Sequence, residues 1–198
     1  MNTLLPIFMK LENEPCLVVG GGKIAHQKIK QLLDSKADIT VQSLDISDDI
    51  RPLPITIQKI AYQENDVKGY KLVIAATDNE NVNRQVYVDC QKNDIPVNVV
   101  DQPELCTFYM GSVFQDGDLK VAVSTNGKCP SFGKFIRDHI SNTSKGVWGK
   151  ALEKLALQRE KIIKSISSYS QKQQVMEKLV NSTKNKFIPK QVKRGKVF

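Results

Sequence analysis

The chain has 198 residues, 40% hydrophobic and 25% charged, with 29 Lys/Arg against 21 Asp/Glu for a net charge of +8. That length suits one large domain or two small ones, and the apolar share is enough for a buried core. No window approaches an uninterrupted membrane span and no basic-then-apolar leader opens the chain, so a cytoplasmic protein without a membrane partner is expected.

The first 19 residues end in an apolar run, Cys16-Leu17-Val18-Val19, followed by Gly20-Gly21-Gly22-Lys23-Ile24-Ala25. A buried strand over 17–19 is expected to enter a glycine turn and then a helix with Ile24, Ile29, Leu32 and Leu33 as its apolar positions. Gly20-x-Gly22-x-x-Ala25 has the form that cradles a dinucleotide. The first glycine allows the tight turn, the second lets a pyrophosphate approach the backbone, and the small third residue lets helix pack on strand. The helix N-terminus offers unpaired N–H groups to an anion. A second strand is expected at 39–41. Asp45 follows it, 20 residues past Ala25, near where a ribose hydroxyl partner is expected, although a helix cap or a solvated loop carboxylate reads equally well.

Further strands are expected at 55–57, on the sheet edge because prolines flank it, and at 72–75 and 97–100, with a helix over 81–92. This alternation implies a parallel Rossmann-like α/β sheet with helices on both faces and its ligand at the carboxyl ends of the strands. Two loops stand at those ends. Ala75-Ala76-Thr77-Asp78-Asn79 is small enough for a ligand to lie on it, with Thr77 or Asp78 also able to cap the next helix. Asn98-Val99-Val100-Asp101-Gln102-Pro103 sets a carboxylate over the expected crevice, or simply a turn before Pro103.

Beyond residue 105 strands are expected at 108–113 and 119–123, joined by a turn at 115–118. The polar loop 124–129 follows, then a helix from Pro130 to about residue 140. Residues 147–180 read as one helix. Residues 184–198 hold six Lys/Arg and no acid, and are expected to be poorly ordered unless docked. Residues 1–140 carry 15 Lys/Arg and 18 Asp/Glu, whereas 141–198 carry 14 and 3. The basic character is therefore C-terminal, which suggests a polyanionic partner or, as readily, a solvated helix face and tail. The four cysteines, Cys16, Cys90, Cys106 and Cys129, show no C-x-x-C spacing, which favours reduced thiols over a zinc site. His26 and His139 read as solvated or capping histidines, and no metal site is expected.

Taken together, Leu5-Pro6-Ile7-Phe8, Leu17-Val18-Val19-Gly20-Gly21-Gly22, Val73-Ile74-Ala75-Ala76-Thr77-Asp78, Val97-Asn98-Val99-Val100-Asp101 and Ala122-Val123-Ser124-Thr125-Asn126-Gly127 resemble the precorrin-2 dehydrogenase family, the N-terminal module of siroheme synthases. The likeness covers roughly residues 1–140. It departs at Gly111, where a proline is usual, and at Asn126, where a glycine is common.

The resemblance implies an NAD-dependent oxidation of precorrin-2 to sirohydrochlorin by a homodimer. It implies a dinucleotide domain over 1–105, a small β/α dimerisation segment over 106–144 and a helical domain with basic tail over 145–198. It makes Asp101 the catalytic general base and brings Ser124, Thr125 and Lys128 to substrate carboxylates. The residues expected to hold the cofactor are Gly20, Gly21, Gly22, Lys23, Ile24, Leu44, Asp45 and Thr77. Two alternatives remain open. One is a bifunctional dehydrogenase and ferrochelatase. The other is a non-catalytic NAD(H) sensor whose basic tail meets a partner or nucleic acid, a reading disfavoured because no helix-turn-helix or stacking platform accompanies the tail.

Overall fold

The structure, a computed structural model, describes residues 4–187, with side chains described through residue 183. It divides into two compact units, Met1–Met110 and Gly111–Phe198.

The aliphatic runs of the first unit form five strands. They are β1 (Pro15–Val19), β2 (Asp38–Gln42), β3 (Thr56–Gln58), β4 (Leu72–Ala75) and β5 (Val97–Val99). They pair in parallel in the order β3-β2-β1-β4-β5. Such a sheet must be covered on both faces. Helices α1 (Lys23–Leu33) and α2 (Glu80–Lys92) supply much of that cover. The two-residue period of the strands divides their side chains between two cores. Cys16, Val18, Leu72 and Ile74 pack with Ala25, Ile29 and Leu32 of α1. Leu17, Val19, Val73 and Ala75 pack with Val86 and Cys90 of α2. Each fully buried aliphatic side chain here contributes about 1.5–3 kcal/mol. The edge strand expected at 55–57 forms one residue later and is exposed along its length.

The strand expected at 108–113 does not form as such. Residues 106–110 strap the outer edge of β5 instead. The Val97 N–H donates to Thr107 Oγ1 at 2.8 Å, the Thr107 N–H to the Val97 carbonyl at 2.9 Å, and Asn98 Nδ2 to the Phe108 carbonyl at 2.9 Å. Phe108 and Met110 thereby pack on the α1-side core, so their apolar character reflects that strap and not a ladder.

In the second unit β6 (Ser112–Asp116) and β7 (Leu119–Val123) form an antiparallel hairpin, followed by α3 (Pro130–Ser144), α4 (Val147–Ser165) and α5 (Tyr169–Phe187). The turn is Gly117-Asp118, tighter than the four-residue turn expected. The single helix expected over 147–180 is broken at Ile166, whose φ of −118° and ψ of 129° are extended. Ser165-Ile166-Ser167-Ser168 are poor helix formers, and the Ser168 carbonyl restarts the chain by accepting the Lys172 N–H at 3.0 Å. Helices α4 and α5 then pack on each other. Helix α4 begins at Gly146 in the left-handed region with no cap of its own. Asp116 from the hairpin serves instead, accepting Ser144 Oγ at 2.5 Å and the Trp148 N–H at 3.1 Å. A Cβ on Gly149 would overlap the Asp116 carbonyl oxygen, so only glycine lets α4 approach this closely. Of the residues expected to lack order, 184–187 continue α5, and 188–198 lie outside the described residues.

Candidate functional site

The carboxyl ends of β1, β2 and β4 open into a cleft of about 880 Å³. This is the crevice beside the point where strand order reverses, the general location of ligands in open parallel sheets. All eight residues expected to hold a cofactor line it: Gly20, Gly21, Gly22, Lys23, Ile24, Leu44, Asp45 and Thr77.

The three glycines serve different ends. Gly20 has φ +118°, and a Cβ there would overlap the Ala76 carbonyl. A Cβ on Gly21, an unspecified position in the fingerprint, would overlap the Asp45 carbonyl. These two let the β2 and β4 end loops close on the turn. A Cβ at Gly22 would meet no atom within 4 Å, which leaves open space where the fingerprint needs a ligand to approach. Gly22 is also the N-cap of α1, contributes no side-chain cap, and is followed by no acid in the first turn. The first-turn amides thus retain the donors and the positive end of the dipole that suit an anion. Ala25 is wholly buried, as the small third position requires.

The far wall is fixed by residues not singled out from sequence. Asn83, 3% exposed, accepts the Thr77 hydroxyl at 2.7 Å and donates Nδ2 to the Thr77 carbonyl at 2.9 Å. Asn83, Val86 and Cys90 share the inward stripe of α2, so an amide at an apolar position was the legible signal. Neither Thr77 nor Asp78 caps α2. Asn79 does, its Oδ1 accepting the Asn81 and Val82 N–H groups at 3.0 and 3.3 Å, because its position directly precedes the first helical residue.

Asp101 follows β5 on the same sheet but does not line the cleft. It is exposed, with φ +60°, a conformation Asp tolerates better than most residues. Lys28 of α1 feels its charge. Burial lowers the Lys28 ammonium below its usual value, opposed by nearby Cys106 and Asp101. The Cys106 thiol donates to the Val99 carbonyl at 3.1 Å, and burial is the largest influence pushing it up.

Ser124, Thr125 and Lys128 occupy one loop between β7 and α3. Ser124 Oγ accepts the Asn126 N–H at 3.2 Å, and Thr125 Oγ1 accepts the Cys129 N–H at 3.3 Å. Asn126 and Gly127 both have positive φ, +54° and +74°, so asparagine accommodates the bend where glycine was expected. All four cysteines are unpaired. Burial pushes the Cys16 thiol up to about 11 and the Cys90 thiol up to about 12. Among the described residues no helix is long and apolar enough to cross a membrane, and no three His, Cys, Asp or Glu side chains group as metal ligands.

A family model described as NAD(P)-binding matches residues 7–112, and one described as sirohaem biosynthesis protein central matches 116–143. The solved structure of SirC, a precorrin-2 dehydrogenase, is similar at a TM-score of 0.77 and 26% identity over 91% of each chain. The chain belongs to the precorrin-2 dehydrogenase-like family of NAD(P)-binding proteins. Siroheme synthases of Ruthia magnifica subsp. Calyptogena magnifica and Methylobacillus flagellatus are 36% and 39% identical over 88% and 85% of this chain. They are longer proteins, of which the match covers 38% and 37%.

The cleft suits the family's cofactor. The bare Gly22 backbone and the uncapped α1 N-terminus line the cleft, Asp45 provides a carboxylate beyond β2, and Leu44, Ile46, Ile60 and Val82 provide apolar wall. This is the mixture of mostly apolar lining and few placed polar groups that holds a flat base and a charged linker.

Proposed function

We propose that the protein is a cytoplasmic, homodimeric, NAD-dependent precorrin-2 dehydrogenase that yields sirohydrochlorin for siroheme synthesis. The observation that carries this reading is the convergence of the glycine turn, Asp45 and Thr77 on one cleft, with Asp101 two residues past the end of β5. Gly20, Gly21, Gly22, Lys23 and Ile24 hold the diphosphate. Leu44 and Asp45 meet the adenosine half, Asp45 accepting from a ribose hydroxyl and repelling a 2′-phosphate, which favours NAD over NADP. Thr77 bounds the cofactor on the β4 side. NAD⁺, when bound, supplies the two-electron acceptor for the oxidation.

Asp101 acts as general base and takes the proton that the tetrapyrrole loses. Ser124, Thr125 and Lys128 hydrogen-bond substrate carboxylates, and the basic C-terminal segment draws the polycarboxylate in.

The dimer reading rests on the second unit, in which Phe114 and Ala151 are the buried hydrophobic residues among those described. So thin a core is normally completed by another chain. Residues 106–144 form the dimerisation segment between the dinucleotide domain at 1–105 and the helical domain at 145–198.

The test is an anaerobic spectral assay of precorrin-2 turnover with NAD⁺ and with NADP⁺, on the wild type and Asp101→Ala. The reading requires turnover preferring NAD⁺ and loss of at least about a thousandfold in the variant, with NAD⁺ binding retained. Full activity in Asp101→Ala would remove that residue from its role, and no turnover by the wild type would remove the function.

A further inference from the structure

Among the described residues Asp89 is the only carboxylate that is wholly buried, at 0% exposure. It lies on α2, 27 residues in sequence from Tyr62, and nothing in the proposed chemistry uses it. A lone buried carboxylate is strongly unfavourable, so its partners explain why it is there. Oδ2 accepts the Tyr62 hydroxyl at 2.7 Å and the Asn65 N–H at 3.0 Å, and Oδ1 accepts Gln85 Nε2 at 2.9 Å with Lys92 Nζ at 3.8 Å. Burial alone would push this carboxyl up. The Asn65, Tyr62 and Gln85 hydrogen bonds and the Lys92 charge outweigh it and hold the group below the usual carboxylate range.

Two of those three hydrogen bonds come from one stretch, residues 62–65 of the β3–β4 connection. Between residues 59 and 71 this connection contains no helix or strand of its own. A second tie lies beside the first. Gln42 Nε2 donates to Asp66 Oδ2 at 2.6 Å, and the Gln63 N–H donates to the same oxygen at 2.8 Å. The segment tied down in this way carries Ile60, Ala61 and Tyr62, which line the dinucleotide cleft.

We propose that Asp89 is a positioning residue for the dinucleotide, tethering the 60–62 wall so that the cofactor meets a preformed surface. This rests on the cleft being the NAD⁺ site. A wall ordered before binding loses little freedom when the ligand arrives, whereas a released wall must be ordered at the ligand's expense. The tether therefore acts on cofactor affinity and leaves the Asp101 chemistry alone.

The experiment measures NAD⁺ affinity of the full chain by titration, with amide exchange of residues 60–66 in the ligand-free protein. Asp89→Ala is expected to weaken NAD⁺ binding about tenfold and to speed that exchange, with kcat at saturating NAD⁺ held within about twofold. Tyr62→Phe keeps the ring in the wall and cuts one tether, and is expected to weaken binding by a smaller factor. The double variant should be no worse than Asp89→Ala, because both act through one linkage. Asp89→Asn, which can still turn an oxygen toward Tyr62, should recover most of the loss. Should Asp89→Ala not fold, Tyr62→Phe and Asp89→Asn carry the test by the same readouts.

Unchanged affinity and exchange in these variants, multiplicative losses in the double variant, or a fall in kcat with affinity intact would overturn the inference alone. A wild type that takes up no NAD⁺ would overturn the cleft assignment and the inference with it.

Discussion

The first unit buries strands β1, β2, β4 and β5 in two apolar cores, whereas the second buries far fewer of its described apolar side chains. Among the described residues, all the buried hydrophobic ones except Phe114 and Ala151 belong to the first unit. In the second, Phe132 and Phe135 stack with ring centroids 6.1 Å apart while 55% and 61% exposed, and Leu157 is 63% exposed. Isolated exposed apolar residues are ordinary, but these helical ones surround a small core, and the proposed dimer would cover them. Under the dimer proposed above, the first unit is a self-sufficient fold and the second is one that a second copy completes.

Separation of the units is the severest way to break this contrast. Residues 1–110 alone should bind NAD⁺ and melt cooperatively at a temperature independent of protein concentration, and residues 111–198 alone should melt only at a temperature that rises with protein concentration. Circular dichroism melts across a dilution series and NAD⁺ titration measure both, and a concentration-independent cooperative transition in the isolated second unit would refute the contrast.

Next in size come the glycines of the turn. Gly20→Ala places a Cβ against the Ala76 carbonyl at φ +118° and should destabilise the first unit by about 3 kcal/mol or more. Gly22→Ala meets no atom of the chain and should melt nearly as the wild type while losing about tenfold or more in NAD⁺ affinity. Equal melting losses in the two variants would mean that Gly22 serves the fold and not the ligand.

Core truncations sharpen the contrast further. Ile74→Ala, wholly buried on β4, should cost about 3–4 kcal/mol independent of protein concentration. Phe135→Ala should leave the monomer's stability nearly unchanged and weaken self-association about tenfold, seen by sedimentation. Loss of monomer stability with unchanged association would place Phe135 in an internal core.

The same contrast governs what was legible beforehand. Strands β1, β2, β4 and β5 announced themselves as aliphatic runs because they are buried in the two cores, and the glycine turn because its steric demands are local. The eight cleft residues followed from that turn and from the loops after β2 and β4. What escaped was set by tertiary partners. The apolar stretch 108–113 looked like a strand because packing along the β5 edge leaves the same imprint as a ladder. The α4–α5 break escaped because apolar spacing runs on through Ile162, Ile166 and Tyr169, and only the serines between them signalled the turn. Tyr62 and Asp89 pair across 27 residues, a separation over which periodicity carries no information.

The smallest expected effect is a dependence on acid, and it tests how the second unit holds its helix. Asp116 is held below the usual carboxylate range first by the Ser144 hydroxyl and then by the backbone amides of Gly149 and Trp148, with burial opposing. A carboxyl lowered on folding stabilises the fold fully above its unfolded value near 4, and that contribution is lost as pH falls through the lower folded value. The second unit should therefore weaken in acid in part through this group. Asp116→Asn keeps the shape but cannot offer the charged oxygen, so its melting temperature should sit below the wild type's at pH 7 and converge on it toward pH 2. Parallel melting curves across that range would mean that the Asp116 charge contributes nothing, and that the Gly149 close approach alone joins helix to hairpin.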